Sequence, residues 1–276
     1  MHTQSYLHGK LAVTTAILLT LCAAPHLAGQ VGLGLVPMRL EMKLSGGQQQ
    51  SGVLNLTNDS VGRVRIRAEV LDFYVDDNAT PQFVRSSPEA PYSCQNWLTL
   101  NPMEMEVDSS AQALVRYTIK TPAGSPQRSY HCAAAFTTLA TAGDLAQTGI
   151  KTAVRIVSAF YVVLGNPAVE AGFKELRLEN TSDPKEPWRA VVVLKNLSDM
   201  HFRPSGELSL LDEGGNVVES NPFAPLPVLP KREQPFLFPL KSALAPGNYT
   251  LRARVDMGSA DLQEGTAMVT VPQPKP

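Results

Sequence analysis

Stretch after stretch of this chain alternates apolar and polar residues with a period of two, the pattern of half-buried β-strands rather than helices. In "GRVRIRAEVLDFYVDD", Val64, Ile66, Ala68 and Val70 alternate with Arg63, Arg65, Arg67 and Glu69. The apolar phase then flips to Leu71, Phe73 and Val75, which predicts a bulge. In "VPMRLEM", Met38, Leu40 and Met42 read as the buried face, leaving Arg39 on the opposite face just after Pro37. Elsewhere the facing stays open: Val53 competes with Leu54 and Leu56 for the core, and Leu114 with Val115. No amphipathic helix of useful length follows the leader, and 22 prolines and 19 glycines are spread through the chain as turns between short strands would require. The fold class expected is all-β.

The first 29 residues read as a secretory signal peptide: Lys10, an apolar run from Leu11 to Ala24, then small residues at Ala28 and Gly29. That run is short for a bilayer span, and the chain has no later candidate. Leu21 beside Cys22 is too large for a lipidation site. A periplasmic or secreted protein is expected. Cleavage leaves Cys94 and Cys132, which an oxidising compartment would join as a disulfide; two buried thiols are the alternative. Cys94 precedes Trp97 by three positions, unlike the Cys, Trp, Cys order of antibody domains. The 24 Lys and Arg against 25 Asp and Glu give no basic surplus for nucleic acid.

The length after the leader fits two domains, 30–165 and 166–272, with 273–276 as a disordered tail. "LATAGDLAQTGI" reads as a small-residue loop before the long β-prone run "IKTAVRIVSAFYVVLG", and "DEGGNV" as a hairpin turn between Leu208–Leu210 and Val217–Val218. Tyr130 and Tyr249 stand where a tyrosine corner would pin an immunoglobulin-like sandwich, or are ordinary half-buried strand tyrosines. Together these features describe two immunoglobulin-like β-sandwiches in tandem.

Little in the chain suggests chemistry. After cleavage only His131 and His201 remain, without acids or cysteines at metal-ligand spacing. Asp76-Asp77 and Asp212-Glu213 fall in expected turns, and no nucleophile elbow, phosphate loop or zinc-protease motif occurs. No enzyme, cofactor or metal is expected. The arginine row at 63, 65 and 67 reads as the solvated face of a strand rather than an anion patch. Asn55, Asn58, Asn78, Asn180, Asn196 and Asn248 head Asn-x-Ser/Thr tripeptides, which read as strand-end turns more than glycan acceptors.

Over roughly residues 32 to 165 the chain resembles the N-terminal domain of PapD-like periplasmic pilus-assembly chaperones. The resemblance rests, in order, on "GLGLVPMRLEM", "GVLNLTNDSVGRVRIRAEV", "NWLTLNPMEMEV", "ALVRYTI" and "RSYHCAAAF". It implies a chaperone that binds secreted pilin-type subunits by β-strand addition for surface fibre assembly, with an outer-membrane usher as a further partner. In that family an arginine of the first strand and a lysine of the last hold the pilin's terminal carboxylate. Arg39 falls on the arginine, whereas Ser158 stands at the lysine position, with Lys151 and Arg155 on the opposite strand face. Ile150, Val154 and Ile156 form the donor face, or complete the domain's own core. The implied partner site is thus Arg39, Ile150, Lys151, Val154, Arg155 and Ile156.

"VVLKNLSDMHFRPSGELSLLDEGGNVV" resembles instead a segment of the immunoglobulin-like domain of WxL-interacting cell-surface proteins, with Asn196, His201, Pro204, Gly206, Asp212 and Gly215 matching in order. That likeness implies a second reading, a non-enzymatic surface module that binds wall polymer or a surface protein through its second domain.

Overall fold

The computed structural model describes residues 32–76, 78–85, 90–139, 153–241 and 244–273. They form two β-sandwiches. The first contains β1 (Leu33–Val36), β2 (Arg39–Leu44), β3 (Gln49–Asn58), β4 (Val64–Val75), β5 (Pro81–Val84), β6 (Leu98–Asn101), β7 (Glu104–Val107), β8 (Gln112–Lys120), β9 (Ser129–Leu139) and β10 (Arg155–Leu164). One sheet has the order β1-β3-β8-β6 and the other β2-β10-β9-β4-β5, with β7 also on β4. The second sandwich contains β11 (Ala171–Asn180), β12 (Trp188–Asn196), β13 (Ser205–Leu211), β14 (Val217–Pro222), β15 (Glu233–Leu240), β16 (Gly247–Asp256) and β17 (Gln263–Val271). Its sheets run β11-β12-β15 and β14-β13-β16-β17.

Each sandwich closes on its own core. Leu54, Leu56, Ile66, Val115, Ile119, Phe136 and Phe160 fill the first, and Leu194, Leu208, Leu210, Phe236 and Leu251 the second. Each such side chain contributes about 1.5–3 kcal/mol by leaving water. The open facings resolve accordingly: Leu54, Leu56 and Val115 turn inward while Val53 and Leu114 stay exposed. Cys94 and Cys132 form a disulfide beside Trp97 and Tyr130, whose rings lie 4.3 Å apart.

Both tyrosines make corners. The Tyr130 hydroxyl donates to the Pro126 carbonyl at 3.0 Å, and that of Tyr249 to Ala245 at 2.9 Å. A second device is also repeated. Buried Asn58 donates to the Gly62, Val107 and Asp108 carbonyls and accepts from Ser60, while buried Asn196 donates to Met200 and Val228 and accepts from Ser198. In these two Asn-x-Ser tripeptides the amide is an internal staple, which excludes it as a glycan acceptor.

Two expectations need correction. The opening stretch is not one strand: a cis Val36-Pro37 peptide separates β1, paired with β3, from β2, paired with β10. Pro37 has no N–H for a ladder, so pairing stops there and resumes in the other sheet. Met38 lies at that switch and is 58% exposed, while Met42 is buried as expected. The phase flip in β4 needs no bulge either, because its register with β9 runs unbroken from Arg65↔Leu139 to Leu71↔Ala133. Arg65 and Arg67 share a face with Leu71, Phe73 and Val75, and what changes along that face is its covering. Near Phe73 and Val75 the second sandwich contributes Leu229 to a third apolar cluster with Ala133 and Tyr161. At the other end the arginines meet a row of acids on and just after β7: Arg65 and Arg67 both bond Glu104, and Arg63 pairs with Glu106 and Asp108. The charge ladder is exposed and internally neutralised.

Candidate functional site

The free edge of β10 follows from the switch at Pro37. β2 pairs with β10 only from Ala159↔Arg39 onward, so Arg155–Ser158 have a partner, β9, on one side alone among the described residues. The direction of each backbone group is fixed by the ladder. Leu164 N–H donates to Arg128 and Val154 C=O accepts from Thr138, so even-numbered residues of β10 bond toward β9. Ala159 N–H donates to Met38 O at 2.9 Å, so odd-numbered residues bond the other way. The N–H and C=O of Arg155 and Val157 therefore face an open edge, and exposed Val36 and Met38 lie beside its end. The β15 edge is better protected: it carries Pro235 and Pro239 opposite Val193 and Arg189, both prolines without an N–H to offer an added strand.

Side chains sort by the same parity. Ile156, Ser158, Phe160 and Val162 point into the first sandwich; Arg155, Val157, Ala159 and Tyr161 lie on its outer face, where Val157, Ala159 and Tyr161 join the apolar cluster that Leu229 of the second sandwich completes. Ile156 packs on the core but remains part-exposed. Ser158 is fully buried, and its hydroxyl donates to the Pro37 carbonyl at 2.8 Å. Arg155 bonds Thr137 and pairs with Glu69 at 3.6 Å. Arg39 lies in register with Ala159 and so shares the outward face, 52% exposed and 3.6 Å from Glu41. Val154 precedes β10, its N–H bonded to Thr138. Ile150 and Lys151, like most of the predicted small-residue loop, lie outside the described residues.

The second sandwich closes the inner end of this face. Gly165 turns the chain out of β10 with φ 72°, a backbone that a side chain would strain, and a Cβ there would also strike Gln127. The segment Asp199–Arg203 then returns across Tyr161. Asp199 accepts from the Tyr92 hydroxyl at 2.7 Å through its carboxylate and from Ser129 N–H through its carbonyl. The His201 ring lies 4.7 Å from that of Tyr161, and the Arg203 guanidinium is 4.8 Å above the Tyr161 centroid. Arg203 also donates to Glu41 at 3.0 Å and to the Pro225 carbonyl. Burial pushes the His201 imidazole down to about 4 and raises the Tyr161 phenol, the latter against the pull of Arg203. His131 packs edge-on against Phe73, ring centroids 5.0 Å apart, in the same interface. Beside it a hollow of about 320 Å³ is lined by Glu41, Lys43, Val163, Asn166, Pro167 and Met200.

Sequence reasoning singled out Arg39 and the β10 face but not the grouping of Glu41, Tyr161 and Arg203 that the structure brings together. The "HFRPSG" passage ends in β13, where Gly206, φ 148°, lets the strand approach β16 closely: a Cβ there would meet the Arg254 carbonyl at 2.1 Å. Arg203 pairs with Glu41, 162 residues earlier in the chain, a pairing no local pattern announces. No group of three or more His, Cys, Asp or Glu able to hold a metal exists among the described residues, nor a helix long and apolar enough to cross a membrane.

No family model matches this chain, and no curated protein does. Solved structures similar to it include fimbrial chaperones. A chain from a chaperone–tip adhesin complex of CFA/I fimbriae biogenesis is 11% identical, covering 88% of this chain and 100% of that one, with a TM-score of 0.47. The Escherichia coli chaperone DraB is 14% identical over 88% and 99%, TM-score 0.40. A chain from the Salmonella enterica SafA pilin–SafB chaperone complex is 14% identical over 88% and 97%, TM-score 0.42.

Proposed function

We propose that this protein is a non-enzymatic, chaperone-like protein of the periplasm that receives pilin-type subunits by β-strand addition. The observation that carries the reading is the half-paired β10: Arg155 and Val157 offer backbone groups to an incoming strand, and Arg39 stands where that strand must stop. From Ala159 onward β2 occupies the position an added strand would need, so the guest ends there. A guest parallel to β10 brings its C-terminus to Arg39, and a chain terminus is a carboxylate. A guanidinium offers that group two parallel donors. Ile156 and exposed Val36 and Met38 give the guest apolar contacts at the same edge. Delivery to an outer-membrane usher belongs to this reading.

The test uses a synthetic peptide of about ten residues, apolar at alternate positions and ending in a free carboxylate, titrated into the full chain by fluorescence anisotropy. Wild type binds, and Arg39→Ala, at an exposed position, weakens binding about tenfold through loss of a charge-assisted pair. Equal binding by both proteins removes Arg39 from the site, and no binding by either removes the function.

A further inference from the structure

We propose that the second cation of the carboxylate site comes from the other domain: Arg203 acts with Arg39, and the carboxylate of Glu41 holds their place until a guest arrives. The inference rests on the strand-addition reading above and names which groups of that site recognise the terminus.

The β10 candidates are poorly placed. Ser158 points into the first sandwich and is fully buried, its hydroxyl already bound to Pro37, so that position faces away from the guest's end. Arg155 shares the outward face with Ala159 but precedes it by four residues, about 13 Å along the strand. It is also engaged by Thr137 and Glu69. Arg203 has the opposite character. Its Nε donates to Glu41 Oε1 at 3.0 Å, and Arg39 Nε approaches that same oxygen at 3.6 Å. Two guanidinium groups, one from each sandwich, thus converge on a single carboxylate oxygen. The Tyr161 ring beneath Arg203 and the Pro225 carbonyl beside it hold the planar group in place, and its side chain is only 18% exposed.

Two cations around one anion leave a surplus positive charge at the spot where the guest's chain ends. Glu41 lies in register with Tyr161, two residues beyond Arg39, so its carboxylate reaches the pair from within β2 itself. A guest carboxylate arriving at Arg39 meets the same donors and competes with Glu41 for them. The ligand class is therefore a peptide C-terminal carboxylate, and because Arg203 belongs to the second sandwich, recognition of the terminus requires both domains.

The experiment compares the free-acid peptide with its C-terminal amide, and the quantity read is the ratio of their affinities in full-length variants. Glu41→Gln keeps an acceptor for Arg203 but removes the competing charge. It raises affinity for the acid up to roughly fivefold, the range of a part-exposed ion pair, and leaves the amide unchanged. Arg203→Gln lowers the acid-to-amide ratio by a similar factor, and Arg203→Lys restores part of it. If Arg203 only braces the two sandwiches, its loss weakens acid and amide equally and the ratio stays put, which overturns the proposal. So does a Glu41→Gln protein that binds the acid no better than wild type. If wild type binds neither peptide, strand addition itself fails and this inference fails with it; if wild type prefers the acid but the ratio ignores Arg203, only this inference fails.

Discussion

A proline at position 157 separates the proposed guest-binding edge of β10 from the fold that supports it. Val157 N–H points away from β9, and no β2 residue pairs with Val157, so Val157→Pro removes no ladder bond of the free protein. The molecule already uses this device at Pro235 and Pro239 of β15. Proline and valine have similar bulk, and a pre-proline Ile156 is already extended, so the fold loses less than about 1 kcal/mol. The guest loses more. One backbone hydrogen bond is worth about 0.5–1.5 kcal/mol net, and the ring's bulk at the seam adds to that, so the free-acid peptide binds about tenfold more weakly. The control is the next residue. Ser158 N–H faces β9 and its hydroxyl is bound to Pro37, so Ser158→Pro costs about 2 kcal/mol of stability or more. Peptide anisotropy beside urea unfolding reads both effects. A Val157→Pro protein that binds as wild type does would refute the assignment of this edge.

Three other outcomes follow from the structure. Breaking the Cys94–Cys132 bridge, which spans 38 residues, by replacing both cysteines with alanine lowers stability by about 4 kcal/mol in a urea titration. Tyr130→Phe and Tyr249→Phe each remove one phenol-to-carbonyl bond and cost about 1 kcal/mol, read the same way. Burial holds the His201 pKa at about 4, below the ordinary 6.5, so the unfolded chain takes up this proton first as pH falls. The stability of neutral His201 is intact above the ordinary value and is lost progressively between the two, up to about 3 kcal/mol. His201→Phe flattens that part of the unfolding-versus-pH curve.

Much of the architecture was legible because a strand with one dry face must write its alternation into the sequence. The "DEGGNV" hairpin, the paired tyrosine corners and the Cys94–Cys132 bridge are local or compositional signals of this kind. Two misreadings share one cause. Met38 looked like core because alternation cannot show that the strand changes sheets at Pro37. The flip in β4 looked like a bulge because the sequence cannot show that Leu229, from another domain, covers Phe73 and Val75. The proposed site divides in the same way. Arg39 was readable through a family resemblance and its place on a strand face. Arg203 was not, since its meaning lies in Glu41 and Tyr161, which only the folding of the second sandwich onto the first brings to it.

The most direct test of the account is amide hydrogen exchange at Val157, with and without the free-acid peptide. The open edge predicts fast exchange at Val157 in the free protein beside slow exchange at Ser158, which the β9 ladder protects. Addition of the peptide should slow Val157 toward its neighbour. Protection that develops on another edge while Val157 continues to exchange freely would contradict strand addition at β10.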